Sequence, residues 1–150
     1  EMPFAEGFGV DVNFAALQIA RRNAARHGVS ARTHLFVGSW GDAVAPPFDL
    51  IIANPPYVSA GERVAIMPEV REYEPAEALF PGAHGDEAYR ALAPDIYRLL
   101  SPAGRVFVEF GAGLADRAAY ILCRAGLSEC ERRKDLAGIE RCGIFERAGT

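Results

Sequence analysis

The chain has 150 residues, half of them hydrophobic, with a formal net charge of −4 and a sequence pI of about 5.4. This length is enough for one hydrophobic core, so we expect one domain. The acidic balance disfavours nucleic-acid binding through bulk charge, and the sequence contains no apolar run of about 18 residues that would span a membrane.

Segments with strand and helix patterns alternate along the chain, which predicts an α/β fold with a mostly parallel sheet. In chain order, the predicted strands cover residues 7–12, 31–37, 48–53 and 104–110, with a closing pair over 127–136 and 141–147. The predicted helices cover residues 14–27, 86–100 and 114–125. Asn13 is placed to cap the first helix and Gly28 to end it. The continuous apolar run at 48–53 favours a central strand covered on both faces.

Two residues at the ends of the first two strands are candidates for binding a nucleotide-like cofactor. Asp11 precedes a capped helix, and in doubly wound folds such a carboxylate often accepts hydrogen bonds from ribose hydroxyls. The alternative is that Asp11 only helps to cap the helix. Trp40 follows the second strand, where it is placed either to pack on an adenine ring or to lie half-buried in the core.

The segment Asn54-Pro55-Pro56-Tyr57 directly follows the apolar strand at 48–53, where open α/β sheets bind ligands. A strand stop with a turn explains the prolines, but neither the asparagine nor the tyrosine. Pro55 restricts Asn54 to an extended conformation, and both prolines lack a backbone donor. The side-chain oxygen of Asn54 and the carbonyl of Pro55 are then placed to accept hydrogen bonds from one planar NH2 group, on which Tyr57 stacks. This arrangement indicates catalysis by positioning.

These residues together resemble the release-factor glutamine-N5 methyltransferase family, a class I S-adenosylmethionine-dependent methyltransferase family with a Rossmann-like fold. Members methylate the side-chain amide of the glutamine in the Gly-Gly-Gln loop of peptide chain release factors. The resemblance implies that Asn54, Pro55, Pro56 and Tyr57 are catalytic and bind the substrate amide, with Asn54 also next to the cofactor. It implies that Asp11 holds the ribose and Trp40 flanks the adenine. No metal is implied, and the C-terminal strand is expected to be antiparallel.

Two further segments carry the same resemblance. Residues 70–92 are similar to the family segment that follows the Asn-Pro-Pro-Tyr motif, and residues 134–147 are similar to its C-terminal Asp-Leu-Ala-Gly and closing strand. The matching positions in the first segment are Glu74, Pro75, Leu79, Gly82 and Gly85. One departure is Ser39, which stands where the family often has an aspartate; Asp42 is a candidate replacement.

The larger departure is at the start of the chain. The family's first strand, its glycine-rich loop and its N-terminal helical domain have no counterpart here, because Gly7 and Gly9 lie within the strand that ends near Asp11. We therefore expect residues 1–150 to be a partial catalytic domain of a longer protein. Unpaired backbone edges are expected where the first strand would lie, and so is weak or absent cofactor binding by the chain alone.

Two alternative functions remain open at this stage. An adenine-N6 methyltransferase would bind the NH2 group of a flipped base with the same Asn-Pro-Pro-Tyr motif. Two basic clusters support this alternative: Arg21, Arg22 and Arg26, and Arg132, Arg133 and Lys134. A remnant or protein-binding module without a cofactor site is the other alternative.

The three cysteines indicate whether the protein occupies a reducing or an oxidising compartment. Cys123, Cys130 and Cys142 have spacings that fit no common metal or redox pattern, which favours buried or incidental thiols in a reducing compartment. The sequence thus predicts a cytoplasmic enzyme that acts on a protein, without a membrane contact.

Overall fold

A computed structural model describes residues 2–45, 47–57 and 85–149. The chain divides into two compact units, Glu1–Ala45 and Pro46–Thr150, and each is considered by itself. In the described ranges, no helix has the length and apolar character needed to cross a membrane.

The first unit is a β-α-β arrangement. Its elements are β1 (Gly7–Asp11), α1 (Phe14–Arg26), a 3-10 turn (Ser30–Arg32) and β2 (Thr33–Val37). The two strands are parallel, so that their carboxyl ends, Asp11 and Val37, lie opposite each other. This register places the segments that follow both strands at one edge of the two-stranded sheet.

The ends of α1 confirm the predicted caps. Asn13 Oδ1 accepts hydrogen bonds from the backbone N–H groups of Ala15 at 2.9 Å and Ala16 at 3.3 Å. Gly28 follows the helix with a φ of 68°, a backbone conformation that glycine adopts without strain. The apolar side chains of α1 are only partly buried, since Leu17 is buried and Phe14 is 64% exposed.

The second unit is a four-stranded sheet with two helices. Its elements are β3 (Phe48–Ala53), α2 (Glu87–Leu99), β4 (Leu100–Glu109), α3 (Ala115–Arg124), β5 (Leu127–Lys134) and β6 (Glu140–Arg147). The strand order is β3-β4-β6-β5. The β3–β4 pair is parallel, whereas β6 is antiparallel to both of its neighbours. The predicted α/β fold with parallel strand pairs and an antiparallel C-terminal strand is confirmed.

The core of this unit lies between the sheet and the two helices. The fully buried side chains of largest volume include Tyr89, Ile96, Leu122, Val106, Phe110 and Phe145. Tyr89 and Ile96 are seven positions apart on α2, which is two helical turns, so they share one helix face. Phe110 meets both Tyr89 and Phe145 edge to face, with centroid distances of 6.4 and 6.3 Å.

Two expectations about β3 and β4 are corrected. First, β4 begins at Leu100 and not at residue 104. Phe48 lies opposite Leu100 and Leu50 opposite Arg105, so β4 bulges in between. The Ser101 hydroxyl donates to Asp49 Oδ1 at 2.9 Å within this bulge. The sequence of this segment contains a proline and a glycine and resembles a loop, which explains the error.

Second, β3 was expected to be central but lies at an edge of its sheet. Among the described residues β3 pairs with β4 alone, and β1 with β2 alone. Leu50 and Ile52 of β3 are accordingly 44% and 77% exposed. Their apolar character therefore reflects a face that the described residues leave uncovered.

Candidate functional site

The four-residue segment 54–57, here called the clamp, begins one residue after β3 ends. Asn54 is exposed, Pro55 is among the fully buried residues, and Pro56 and Tyr57 are half-buried. The buried proline fixes the segment in the unit while the asparagine side chain stays accessible. The structure thus gives Asn54 the exposure that a ligand-binding amide requires.

Asn54 and Tyr57 both line an open cleft in the second unit with a volume of about 560 Å³, within the usual range for small-molecule sites. The lining residues come from three places in the chain. They are Ile52, Ala53, Asn54, Tyr57, Phe107, Glu109, Asp135, Arg141 and Cys142. Polar groups therefore converge on an apolar floor formed by β3 and β4.

Tyr57 is held in the cleft at its hydroxyl and at its ring. Its hydroxyl donates to Glu109 Oε1 at 3.0 Å. Burial raises the pKa of Tyr57 above its ordinary value, the hydrogen bond and charge of Glu109 raise it further, and the charge of Arg141 opposes them. The ring packs on Gly111, where a Cβ atom would come within 2.8 Å of it. Tyr57 is therefore a neutral hydrogen-bond donor with a fixed ring plane.

The backbone that follows β4, which contacts Tyr57, is itself held by hydrogen bonds. The Tyr89 hydroxyl donates to the Glu109 carbonyl at 3.0 Å and accepts from the Gly111 N–H at 3.2 Å. Burial is the main reason why the pKa of Tyr89 is raised to about 12, so this hydroxyl stays protonated. Phe110 N–H donates to the Arg141 carbonyl at 2.8 Å, and Arg141 Nη1 donates to the Phe110 carbonyl at 3.3 Å.

Three of these residues, Glu109, Asp135 and Arg141, were missed as site residues by sequence reasoning. A signal existed for Glu109, because it ends the strand parallel to β3 and so lies at the same sheet edge as the clamp. Asp135 and Arg141 reach the cleft through the β5–β6 hairpin, whose register the sequence did not specify. Arg141 Nε donates to Asp135 Oδ2 at 3.2 Å.

Asp11 and Trp40 lie in the first unit. Asp11 Oδ1 accepts a hydrogen bond from the Asn13 N–H at 2.7 Å, so the carboxylate does help to order the start of α1. In the described ranges this is the one hydrogen bond found at that carboxylate, and it leaves Oδ2 for a ligand. Trp40 is half-buried and has a φ of 49°, a left-handed conformation that costs energy in a residue other than glycine.

The predicted site residues are divided between the two units. Asn54 and Tyr57 share the cleft of the second unit, with Pro55 buried beside them, whereas Asp11 and Trp40 occupy the edge of the first unit. Of the residues that matched the family after the clamp, Gly85 is described, with a φ of 78°. The others, Glu74, Pro75, Leu79 and Gly82, lie outside the described residues.

Comparisons with known proteins agree with the resemblance stated above. A family described as "Methyltransferase small domain" matches residues 2–73. The chain is 44% identical to the release factor glutamine methyltransferase of Rhodospirillum rubrum over 98% of its own length and 45% of that protein. It is 43% identical to the protein of the same name from Cereibacter sphaeroides, over 94% of this chain and 51% of that protein. The chain thus spans about half the length of these curated relatives.

Solved structures with low sequence identity show the fold. A ribosomal protein L11 methylase from Lactobacillus delbrueckii matches 96% of this chain and 58% of its own, with a TM-score of 0.68 and 17% identity. A methyltransferase from Pyrococcus furiosus matches 99% of this chain and 66% of its own, with a TM-score of 0.68 and 19% identity. The class I methyltransferase fold and the sequence kinship to release factor glutamine methyltransferases, both expected from the motifs, are confirmed.

Proposed function

We propose that this relative of the release factor glutamine methyltransferases is the part of such an enzyme that positions a glutamine side-chain amide for methylation. The observation that carries the proposal is the clamp, which presents Asn54 and Tyr57 to one cleft directly after a parallel strand. The relatives' name supplies the substrate class, a peptide chain release factor. The proposed target is the glutamine of its Gly-Gly-Gln loop.

The clamp residues have separable roles in this proposal. Asn54 Oδ1 and the Pro55 carbonyl accept the two amide hydrogens in the plane of the amide, so the nitrogen lone pair, which is perpendicular to that plane, stays open on the face opposite the Tyr57 ring. The Tyr57 ring, fixed by Glu109 and Gly111, lies against the plane of the amide. An amide nitrogen is a weak nucleophile, so alignment and an apolar slot contribute more than a strong base does. Pro56 stiffens the segment between the two contacts.

S-adenosylmethionine is the proposed cofactor and supplies the methyl group when bound. Asp11 has the chemistry to hold the ribose, because its Oδ2 is available for a hydroxyl group while Oδ1 is fixed by Asn13. Trp40 offers an indole to the adenine, held in a backbone conformation of the kind that recurs at functional sites. Asn54 is also proposed to lie next to the cofactor. The residues present thus fit the cofactor, and the proposal includes no metal.

The observed charge pairing in the C-terminal basic cluster weakens the support that this cluster gives to DNA or RNA as the substrate. Arg132 is paired with Glu129, Asp116 and Glu140, and Arg133 with Glu131. Two of the three cations in the C-terminal basic cluster are therefore neutralised within the protein. Such pairing lowers the affinity for phosphate that a nucleic-acid interface requires. The proposed location is the cytoplasm, in keeping with the free thiols of all three cysteines.

The test is a methylation assay with the protein expressed from the complete gene that encodes this chain. Purified release factor and an adenine-containing oligonucleotide are each incubated with methyl-labelled S-adenosylmethionine, and the modified residue is identified by mass spectrometry. We expect label on the glutamine of the release factor. Label on the oligonucleotide alone would contradict the proposal and support the adenine-N6 alternative.

The substitution Asn54→Ala tests the clamp itself. It removes one of the two acceptors, so we expect kcat to fall about 100-fold, the typical loss when one preorganised hydrogen-bonding group is deleted. Asn23→Ala is the matched control, because Asn23 is an exposed asparagine on α1 away from the clamp sequence. Equal activity of the Asn54→Ala variant and the control would remove the basis of the proposal.

A further inference from the structure

The turn that joins β5 to β6, residues 135–139, is here called the hairpin tip, and it is internally ordered. Asp135 Oδ1 accepts hydrogen bonds from the N–H groups of Ala137 at 2.9 Å and Ile139 at 3.0 Å. Asp135 N–H donates to the Ile139 carbonyl at 2.9 Å, and Gly138 N–H donates to the Asp135 carbonyl at 3.0 Å. The glycine has a φ of 80°, which closes the turn without strain.

This ordered turn exposes two apolar side chains. Leu136 is fully exposed, and Ile139, three residues later, is 38% exposed. Single exposed apolar residues are common on protein surfaces and require no explanation. The hairpin tip differs because its backbone is fixed by hydrogen bonds, so binding a partner there costs little additional ordering entropy.

The position of the hairpin tip relates it to the candidate site. Asp135, the residue that orders the tip, itself lines the cleft together with Asn54 and Tyr57. Arg141, which also lines the cleft, connects the tip to the backbone beyond β4 by donating to Asp135 and to the Phe110 carbonyl. Leu136 directly follows Asp135 in the chain, so this exposed leucine adjoins a residue that lines the cleft.

We propose that the hairpin tip is a docking contact for the protein substrate, in which Leu136 and Ile139 bury an apolar side chain of the release factor outside its Gly-Gly-Gln sequence. This inference rests on the proposed function. One glutamine side chain offers few contacts, so selection of one protein loop requires further buried area beside the clamp. An exposed leucine next to a cleft-lining residue supplies apolar area without placing a charge near the methyl-transfer site.

Leu136→Ser in the protein expressed from the complete gene is the direct test. We expect KM for the release factor to rise about tenfold, since loss of one central apolar contact commonly costs that much affinity. The expected kcat and KM for S-adenosylmethionine are those of the unchanged protein. Because Leu136 is fully exposed, thermal unfolding is expected at the same temperature. Tyr120→Ser is the matched control, since Tyr120 is 67% exposed on α3 and does not line the cleft.

A binding measurement separates this inference from the proposed function. Surface plasmon resonance with immobilised release factor reports docking whether or not the methyl group is transferred. If the unchanged protein binds the factor but does not methylate it, the proposed function fails, while weaker binding of Leu136→Ser still supports the docking contact. Equal KM or equal binding of the unchanged protein and Leu136→Ser overturns the docking contact, as does absence of any binding.

Discussion

Tyr57 illustrates how the clamp depends on residues remote in sequence. Its hydroxyl is bonded to Glu109, 52 positions later in the chain. Its ring occupies the space that a side chain at position 111 would need. The asparagine and prolines of the clamp can be recognised locally, but the orientation of the tyrosine ring is fixed by the segment that follows β4. A single aromatic residue thus couples the two parallel strands of the second unit at their carboxyl ends.

The contribution of this coupling can be measured with Tyr57→Phe and Tyr57→Ala. The phenylalanine keeps the ring and loses one hydrogen bond to a charged group, so we expect kcat/KM to fall about tenfold. The alanine also loses the ring plane and should cost about 100-fold or more. Steady-state methylation kinetics give both values. Equal losses for the two substitutions would mean that ring packing contributes nothing.

Asp86 is the buried ion-pair centre that connects the two helices of the second unit. Its carboxylate is 3% exposed and accepts hydrogen bonds from Arg90 Nη2 at 2.9 Å and from Arg117 Nε at 2.6 Å. Asp86 directly precedes α2, which contains Arg90, whereas Arg117 lies on α3. The helices that cover the sheet beside the clamp are therefore joined through one carboxylate.

We expect this carboxylate to make the stability depend on pH. Burial alone raises the pKa of Asp86, but the hydrogen bonds and charges of Arg90 and Arg117 outweigh it and hold the pKa below its ordinary value. A carboxyl whose pKa is lowered by folding stabilises the protein above its unfolded-state pKa of about 4. That contribution is lost as the pH falls through the folded-state pKa.

Asp86→Asn removes this contribution and should lower the free energy of unfolding at pH 7 by about 2 kcal/mol. The difference from the unchanged protein should shrink as the pH is lowered below about 4, and urea unfolding across this range measures it. Glu131→Gln is the control, because the Glu131–Arg133 pair is exposed and should contribute little. A difference that does not vary with pH would contradict the assignment.

At the scale of the elements, the sequence predicted the order and type of every described α-helix and strand but missed the 3-10 turn Ser30–Arg32 and some boundaries. Periodic apolar residues identify α2, because Tyr89, Leu92 and Ile96 are all buried there. The start of β4 was missed because a bulge lets residues with loop character join a strand. The glycine at position 143 in β6 is a second feature that the sequence does not explain. A Cβ atom there would overlap the Phe110 ring, a tertiary contact that the sequence does not reveal.

At the scale of the whole molecule, the sequence identified the clamp but not the groups around it. Asn54 and Tyr57 are recognised because a rare motif follows an apolar strand. Glu109 and Arg141 are not, because their approach to the cleft depends on strand order and on hairpin register. Local patterns predict local structure, whereas a site built from three separate segments requires the pairing of strands to be known.

Cofactor binding tests whether residues 1–150 contain all the contacts that S-adenosylmethionine requires. The 150 residues contain no Asp-x-Gly-x-Gly-x-Gly sequence, and they span about half the length of the curated relatives. Asp11 and Trp40 are the proposed contacts for the ribose and adenine, but a methionine moiety requires close backbone approach, which glycine-rich loops provide. We therefore expect residues 1–150 alone to bind S-adenosylmethionine weakly or not at all.

Isothermal titration calorimetry of residues 1–150, with the release factor glutamine methyltransferase of Rhodospirillum rubrum as the positive control, measures this. Micromolar affinity of residues 1–150 would contradict the expectation. Asp11→Asn should then weaken binding about tenfold, because it exchanges a charged acceptor for a neutral one at the proposed ribose contact. Such affinity would show that residues 1–150 supply the methionine contacts themselves, without a glycine-rich loop.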